Sequence, residues 1–227
     1  MMVAASARPE AKTRLRSARF RTRPARVPRT ADYTINSSGF LPASSAALNH
    51  GTSLNDIAKK LGVTKAALYT CVPRKEDLLY YCHDWAMYGA FESLEHARGA
   101  GGTGLEKLRN TLQHYLEQML MEGSAFIVLL EENALKPAHA KAIIKRRDEF
   151  EVALRSFVTE GIADGSIVPC NEKIAVFLAL GALNWVRKWY SPDGEWSAQL
   201  IAESLTQMIE RGLATAQSAH LMPPLDC

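Results

Sequence analysis

The chain has 227 residues and a mass of 25.1 kDa, which allows one large domain or a small domain joined to a larger one. Hydrophobic residues make up 47% of it, a share that excludes a wholly disordered chain. A membrane span is also excluded, because the longest apolar run, 174–183, has ten residues and a spanning helix needs about 20. The four cysteines form no CxxC pair, which favours a reducing cytoplasmic compartment.

Charge is distributed unevenly along the chain, whose net charge is +3. Residues 1–50 carry nine basic residues and two acidic ones, a balance of +7 that leaves −4 for the other 177 residues. A basic front on an acidic body predicts that a polyanion would meet the N-terminal end, although a solvated tail is the commoner reason for such a segment. Residues 1–38 are rich in Arg, Ser, Thr and Pro without an apolar period, and we predict that they form a disordered basic arm.

Helical periodicity begins after residue 52 and continues into the C-terminal region. Ser53 and Asp56 have the spacing of a capping box, and Thr64 can cap a second, short helix whose Ala67 and Leu68 face inward. No alternating pattern predicts a strand, so the predicted fold class is all-α. The predicted helices cover, in chain order, about 53–61, 64–72, 75–96, 105–120, 125–135, 137–161, 171–190 and 197–213.

The first two predicted helices, with a glycine turn between them, have the layout of a helix-turn-helix. In that layout the second helix enters the major groove of DNA, which is about 12 Å wide. Lysines on its outer face can neutralise phosphates, and a tyrosine offers a hydroxyl to a phosphate and a ring to a thymine methyl. An ordinary helical hairpin with solvated lysines fits the pattern equally well. The candidate DNA-binding residues are Ser53, Thr64, Lys65, Ala66, Tyr69, Thr70 and Lys75.

Residues 53–79, SLNDIAKKLGVTKAALYTCVPRKEDLL, resemble the DNA-binding module of the TetR family of transcriptional regulators. The matching features are the IAxxLGV motif, the TKAxLY recognition core and the VPxKExLL start of the next helix. The resemblance implies a helix-turn-helix followed by a larger helical domain that binds a ligand and forms a homodimer. It also implies a repressor of a near-palindromic double-stranded DNA operator, with recognition helices about 34 Å apart in the dimer.

The chain departs from the family pattern in two places. Cys71 stands where the family usually has an aromatic residue or a histidine that contacts phosphate. The family's first helix should lie at about 30–48, where Phe40, Leu41 and Leu48 are the apolar residues available for packing. We therefore predict a helix-turn-helix module that is less stable than the larger domain. An alternative function stays open, in which the chain is a helical dimer that binds a hydrophobic metabolite, with DNA binding impaired by a divergent or frame-shifted N-terminus.

The larger domain carries candidates for a ligand cavity. Its ADGSIV turn and GALNWVRKWY segment resemble the branch of the family that senses acyl-CoA or other hydrophobic metabolites, which implies a small hydrophobic effector. An apolar wall with a few polar anchors suits such a ligand. Lys145, Arg146 and Arg147 could meet the phosphates of an acyl-CoA, or they could form a solvated helix face. The candidate ligand-binding residues are Phe126, Leu130, Asn133, Phe150, Asn184 and Trp185.

The two C-terminal helices, 171–190 and 197–213, are predicted to form the dimer interface. Apolar residues cover more than one face of the first of them, which is more than an intramolecular core needs. Trp185, Trp189 and Tyr190 lie in this helix, and their aromatic stripe fits core packing, a cavity wall or the dimer face.

No catalytic, metal or cofactor site is predicted, and we expect a protein that is not an enzyme. The pairs Glu92–His96 and His114–Glu117 could each lie on one helix face, but they do not supply the carboxylates of a dimetal bundle. The sequence contains no GxSxG, no P-loop and no GxGxxG motif. The GAGGTG at 99–104 follows a helix rather than a strand, so we interpret it as a loop.

These features divide the chain into four parts. A disordered basic arm, 1–38, precedes the helix-turn-helix module at 40–84, and the ligand-binding and dimerisation domain covers 85–215. The remaining residues, 216–227, end in MPPLDC and are predicted to form a loose tail. The chain is expected to act in the cytoplasm, on DNA, without contact with a membrane.

Overall fold

The structure, a computed structural model, describes residues 53–60, 62, 64–121 and 135–220. Within this part of the chain all regular structure is helical, apart from an isolated bridge between Ile167 and Ala214, so the all-α prediction is confirmed. The expected basic arm, the family's first helix and the predicted helix at 125–135, apart from Leu135, lie outside the described residues. The helices are α1 (Leu54–Lys60), α2 (Lys65–Cys71), α3 (Lys75–Ala100), α4 (Gly104–Met121), α5 (Pro137–Asp164), α6 (Glu172–Val186), α7 (Ala198–Leu213) and α8 (Ala216–Ala219).

Side-chain caps fix several of the predicted helix starts. The Ser53 hydroxyl accepts a hydrogen bond from the Asp56 backbone N–H at 3.3 Å, and the Asp56 carboxylate accepts one from the Ser53 backbone N–H at 3.1 Å. This reciprocal pair is the capping box that the sequence predicts. Thr64, Asn171 and Ser197 cap α2, α6 and α7, each accepting from the backbone N–H three residues further on.

Three helices end at places other than those predicted. α3 continues past its expected end at residue 96 and stops before Gly101, whose φ of 73° suits glycine. α5 passes through Gly161 and stops before Gly165, a left-handed C-cap with φ 80°. α6 ends at Val186, four residues early, where the backbone changes to turn bonds between groups three residues apart: the Lys188 N–H donates to the Trp185 carbonyl at 2.9 Å and the Trp189 N–H to the Val186 carbonyl at 3.1 Å.

The segment expected to begin the loose tail contains a short helix, α8. Thr215 caps it by accepting from the Ser218 backbone N–H at 3.3 Å. The Thr215 backbone N–H also donates to the Ser166 carbonyl at 3.1 Å, so this end of the chain is attached to the turn between α5 and α6. Residues 221–227 lie outside the described part of the chain.

The buried apolar side chains form two clusters. The smaller, which we call the module core, joins α1, α2 and the start of α3, and it also takes in Leu135, just before α5, and Ile143 within it. The larger core joins the rest of α3 to α4, α5, α6 and α7. α5 therefore contributes to both cores. α3 likewise runs unbroken through the domain boundary expected at residue 84.

The contact between α4 and α5 is close because two glycines meet there. A Cβ on Gly104 would overlap the backbone of Gly161. The Asp164 carboxylate, at the end of α5, accepts a hydrogen bond from the Gly104 N–H at 2.8 Å and so caps α4. Burial alone would raise the pKa of Asp164, but hydrogen bonds from Ser166 and Gly104 hold that pKa below its usual value. The contact between Gly104 and the end of α5 thus holds together α4 and α5, which both contribute to the candidate effector site.

Candidate nucleic-acid interface and effector site

The outer face of α2 presents side chains that the sequence predicts for DNA contact. Lys65, Ala66 and Tyr69 are exposed, whereas Leu68 is buried in the module core. The Lys65 ammonium lies 5.5 Å from the centre of the Tyr69 ring, one turn further along the helix. A positive charge and a phenol therefore occupy one exposed patch, where the charge can meet a phosphate and the ring a thymine methyl.

The hydroxyls of Ser53 and Thr64 serve as helix caps. Ser53 Oγ donates to the Asp56 carboxylate at 2.6 Å, and Thr64 Oγ1 accepts from the Ala67 backbone N–H at 3.2 Å. Both residues are nevertheless exposed, so capping does not remove them from the surface. Lys75, at the start of α3, is half-buried. The side chain of Thr70 is not among those described.

The position of α2 is fixed by its apolar side. Leu68 and Val72 are buried in the same cluster as Ile57 of α1. Ala67 was expected to face inward but is exposed. It precedes the buried Leu68 by one residue and therefore points about 100° away from it around the helix. Gly62 turns the chain between α1 and α2 with a φ of 66°, a conformation that glycine adopts without a steric penalty.

Two predicted effector-site residues meet inside the larger core at a third residue, Tyr115. The Tyr115 hydroxyl donates to Asn184 Oδ1 at 3.2 Å, and its ring centre lies 5.6 Å from that of Phe150. Tyr115 is 6% exposed, and burial raises the pKa of its phenol. α4, α5 and α6 thus bring aromatic surface together with a hydroxyl and an amide, as a small apolar ligand with one polar group requires. We call these three residues the effector cluster.

Two arginines border the effector cluster. Arg187, one turn after Asn184, donates from Nε to the Asn184 carbonyl at 3.0 Å. Burial lowers the pKa of Arg187 and of Arg147 on α5, and repulsion from Arg187 contributes to the lowering at Arg147. Tyr115 and Arg187 were not predicted from the sequence. A tyrosine within the apolar stripe of α4 and an arginine one helical turn after a polar anchor were the available signals.

The remaining effector-site candidates do not join this cluster. Trp185 follows Asn184 in α6 but is 63% exposed, because successive helix residues point about 100° apart. A ring this exposed fits neither contact with the effector cluster nor core packing within the chain. Phe126, Leu130 and Asn133 lie outside the described residues.

The basic run on α5 is not a single solvated face. Arg146 forms an ion pair with the buried Asp84 of α3, and its guanidinium lies 5.6 Å from the centre of the Phe91 ring. The expectation that Arg146 meets an acyl-CoA phosphate is therefore corrected, because its guanidinium pairs with Asp84. Lys145, by contrast, is exposed and lies 3.8 Å from the Glu149 carboxylate.

Further contacts join α3 to the N-terminal half of α5. Lys136, at the N-cap of α5, forms an ion pair with Asp77. The ring of His139 stacks on that of Tyr80, with centres 4.2 Å apart and planes at 22°. The start of α5 is thus attached to the helix that continues the DNA-binding module, while later residues of α5 reach the effector cluster.

The outward side of α6 is apolar and exposed. Ile174, Phe177, Leu178 and Trp185 are each more than half exposed, and their spacing places them along one side of the helix. α7 adds the exposed side chains Leu200 and Met208. We call these six residues the outer stripe. Several exposed large apolar side chains on neighbouring helices indicate an interaction site.

The two histidines considered as metal ligands stack on each other. The ring centres of His96 and His114 are 5.4 Å apart, and Gln118 Nε2 lies 3.2 Å from His114 Nε2. Among the described residues, no group of three or more His, Cys, Asp or Glu side chains could hold a metal ion. None of the helices described above has the length and apolar character needed to cross a membrane.

Comparison with known proteins identifies relatives of this fold. Residues 101–213 match the family model for the C-terminal domain of tetracyclin repressor-like proteins. No curated protein matches the chain. Among solved structures, the TetR-family transcriptional regulator PfmR from Thermus thermophilus superposes with a TM-score of 0.70 at 28% sequence identity. That match covers 78% of this chain and 99% of PfmR.

Two further regulators have the same architecture. AibR, solved in complex with isovaleryl coenzyme A and operator DNA, superposes with a TM-score of 0.64 at 26% sequence identity. That match covers 74% of this chain and 95% of the AibR chain. The ketosteroid transcriptional regulator KstR2 of Mycobacterium tuberculosis superposes with a TM-score of 0.69 at 17% sequence identity, and the match covers 78% of this chain and 93% of the KstR2 chain. Together with the helix-turn-helix geometry of α1 and α2, these similarities show that the chain belongs to the TetR family of transcriptional regulators.

Proposed function

We propose that this chain is a ligand-responsive repressor that binds a near-palindromic DNA operator as a homodimer and leaves it when a small hydrophobic effector binds. The observation that carries the proposal is the course of α5. Ile143 of α5 belongs to the module core, whereas Phe150, two turns later, belongs to the effector cluster. A ligand that displaces Phe150 therefore acts on a helix that also packs against the recognition module. The protein acts in the cytoplasm by changing conformation rather than by catalysing a reaction.

In this proposal α2 is the recognition helix. Lys65 and Lys75 neutralise phosphates, and the small side chain of Ala66 lets the helix backbone approach the base edges. Tyr69 contacts a phosphate or a thymine methyl. Ser53 and Thr64 add hydroxyls at the edges of the same surface, and Thr70 stays a candidate from the sequence. A two-fold dimer would place two such helices about one turn of duplex apart, which is why the operator should be nearly palindromic.

The homodimer forms through the outer stripe of α6 and α7. A solvated stripe of large apolar side chains is costly to leave exposed, and a two-fold axis beside it would bury it against its own copy. Two helices from each chain then make a four-helix interface. An obligate interface of this kind buries more than about 2,000 Å². Trp185, which faces away from its own core, contributes its ring to the partner.

The effector acts through the contacts between α3 and α5. It would move Tyr115 or Phe150, and α5 would transmit the movement to α3 through the ion pair of Arg146 with Asp84. The dimer would then favour a separation of recognition helices that no longer fits the operator. This is a shift between two populations, and such coupling typically changes an affinity by about 5–150-fold.

Among possible effectors, an acyl-CoA with a short or branched chain fits the effector cluster best. The apolar chain would lie against Phe150, and the thioester oxygen would accept a hydrogen bond from the Asn184 amide or the Tyr115 hydroxyl. Lys145, exposed on α5, could meet a phosphate of the coenzyme. The similarity to AibR, which was solved with isovaleryl coenzyme A, supports this class of ligand.

Selection of DNA by the purified protein tests the proposal against its alternative. The full chain is mixed with a random pool of duplexes, and the bound DNA is amplified and sequenced over several rounds. Enrichment of one near-palindrome would support a repressor. Binding that stays independent of sequence and disappears with added salt would favour the alternative, a metabolite-binding dimer in which the Arg-rich segment holds DNA without reading it.

Hydrogen exchange adds a second distinction between these functions. We predict faster amide exchange in residues 53–72 than in 171–186, because the sequence before residue 50 offers little apolar packing for the DNA-binding module. Slow exchange in both segments, together with nanomolar specific binding, would show that the departure from the family pattern is harmless.

A further inference from the structure

The turn between α6 and α7 carries an aromatic cavity that the proposed function does not use. The cavity has a volume of about 180 Å³, and its lining includes Trp189, Tyr190, Glu195 and Trp196. The rings of Trp189 and Trp196 meet edge to face, with centres 6.3 Å apart and planes at 89°. Two tryptophan rings thus form perpendicular walls of one corner. Because both rings remain about half exposed, the corner opens to solvent.

The backbone fixes this corner in place. The N–H groups of Trp189 and Tyr190 both donate to the Val186 carbonyl, at 3.1 and 2.8 Å, so the first wall is held by the end of α6. Gly194 N–H donates to the Ser191 carbonyl at 3.0 Å and closes the turn before Glu195. Trp196 directly precedes the N-cap of α7, which fixes the start of the second wall. The aromatic rings are therefore carried by a defined turn between two helices.

The charge of the cavity indicates which ligand it accepts. Glu195 is the charged residue in its lining, so the site attracts a cation rather than an anion. Tryptophan faces attract cations through the ring quadrupole, and an aromatic corner suits a quaternary ammonium, which has no N–H and therefore needs no hydrogen-bond acceptor. A primary ammonium keeps its hydration more strongly and gains less from such walls.

We propose that the Trp189–Trp196 corner, with the Glu195 carboxylate, binds a compact quaternary ammonium group. The site lies beyond the C-terminal end of α6 and is separate from the effector cluster in the interior of the larger core. A ligand there would contact the turn that connects the two helices of the outer stripe. Binding at this turn does not depend on which effector the chain senses.

Calorimetric titration of the full chain with choline tests the proposal, with neutral 3,3-dimethyl-1-butanol as the matched probe of the same shape. Choline should bind saturably in the millimolar range, about tenfold more tightly than the alcohol, because two rings and one carboxylate each add a small attraction to the charge. Glu195→Gln should weaken choline about two- to fivefold and leave the alcohol unchanged. Asp193→Asn, in the same turn but outside the lining, is the charge-matched control and should change neither.

Trp196→Leu separates an aromatic site from a merely apolar one. Leucine keeps apolar bulk but has no ring, so the preference for choline over the alcohol should fall about two- to fivefold. If this variant fails to fold, the comparison of Glu195→Gln with Asp193→Asn still decides the question. Equal affinity for choline and the alcohol, or equal effects of the two carboxylate variants, would overturn the proposal. The lack of saturable choline binding would also overturn the proposal. That result is expected if a second copy of the chain covers the corner.

Discussion

Asp84 of α3 and Arg146 of α5 form an ion pair between the helix that continues the DNA-binding module and the helix that borders the effector cluster. The side chains are 5% and 17% exposed, so both charges are largely desolvated. A buried pair of this kind adds little net stability over an apolar replacement, but the loss of one partner leaves the other charge uncompensated. The pair therefore fixes how α5 lies on α3 more than it stabilises the fold as a whole.

Removing one charge of this pair should be strongly destabilising. Asp84→Asn is expected to lower the free energy of unfolding by about 3–5 kcal/mol, measured by urea denaturation, because Arg146 stays buried without its counter-charge. The double variant Asp84→Leu/Arg146→Leu should recover most of that loss. Glu149→Gln, which removes the half-buried partner of the exposed Lys145, is the control and should cost less than about 1 kcal/mol. A loss below about 1 kcal/mol for Asp84→Asn would contradict the burial of the pair.

Lys65→Ala and Tyr69→Ala should affect DNA binding in different ways. Loss of the lysine should weaken binding to all sequences and reduce the slope of log affinity against log salt by about one unit, because one phosphate contact disappears. Loss of the tyrosine should cost about 1–3 kcal/mol and relax the preference at one base pair. Lys141→Ala, an exposed lysine on α5, is the control and should change neither quantity. Fluorescence anisotropy over a salt series measures the affinity and its salt dependence. Equal effects of Lys65→Ala and Lys141→Ala would show that α2 is not part of the DNA interface.

A charge placed in the outer stripe should prevent dimerisation. Phe177→Glu would bury a carboxylate against apolar side chains of the second copy, and light scattering at micromolar concentration should then give the mass of one chain. Val152→Glu is the matched control, because Val152 is about as exposed as Phe177 but lies on α5, outside the stripe. We expect this variant to remain dimeric. A monomeric native chain, or a dimeric Phe177→Glu variant, would place the interface elsewhere.

Asp164 should contribute stability that depends on pH. Its pKa in the folded chain is held below the unfolded value of about 3.9, so its contribution is present above that value and is lost as the pH falls through the folded pKa. Asp164→Asn should therefore be less stable than the native chain at neutral pH, and the difference should vanish in strong acid. Thermal unfolding followed from neutral pH into strong acid, below the folded pKa, measures it. Asp148→Asn, an exposed carboxylate on α5, should show no such trend, and a difference for Asp164→Asn that persists in acid would contradict the capping role.

Local features of the chain could be predicted from the sequence because they depend on neighbouring residues. The caps at Ser53 and Thr64 bond to groups three residues away, so their spacing alone predicts them. The end of α5, by contrast, was predicted at Gly161 but lies at Asp164, before the left-handed Gly165. The prediction for Ala67 was wrong because the helix is only seven residues long, and so short an element gives its periodicity little definition.

Features that depend on distant parts of the chain could not be predicted. Asp84 and Arg146 are 62 residues apart in sequence, and nothing local to either residue indicates the other. α6 is apolar on nearly all sides, so its sequence does not reveal that Asn184 turns inward while Trp185 turns outward. The bond from Tyr115 to Asn184 spans 69 residues and requires that α4 and α6 meet. Phe150 and Asn184 were therefore predicted as site residues, whereas Tyr115, which contacts both of them, became visible only in the fold.

The most direct test of a ligand-responsive repressor is the affinity of the full chain for its selected DNA, measured by anisotropy with and without isovaleryl-CoA and longer acyl-CoAs. We predict that one of these ligands weakens DNA binding at least fivefold, within the range typical of coupled sites, and that free coenzyme A does not. Tyr115→Phe should bind the same DNA with unchanged affinity and should require more ligand for release, because its hydroxyl belongs to the effector cluster and Tyr115 packs in the larger core rather than in the module core with α2. Specific DNA binding that no acyl-CoA changes would contradict the proposed effector class, and the lack of any specific DNA binding would contradict the repressor itself.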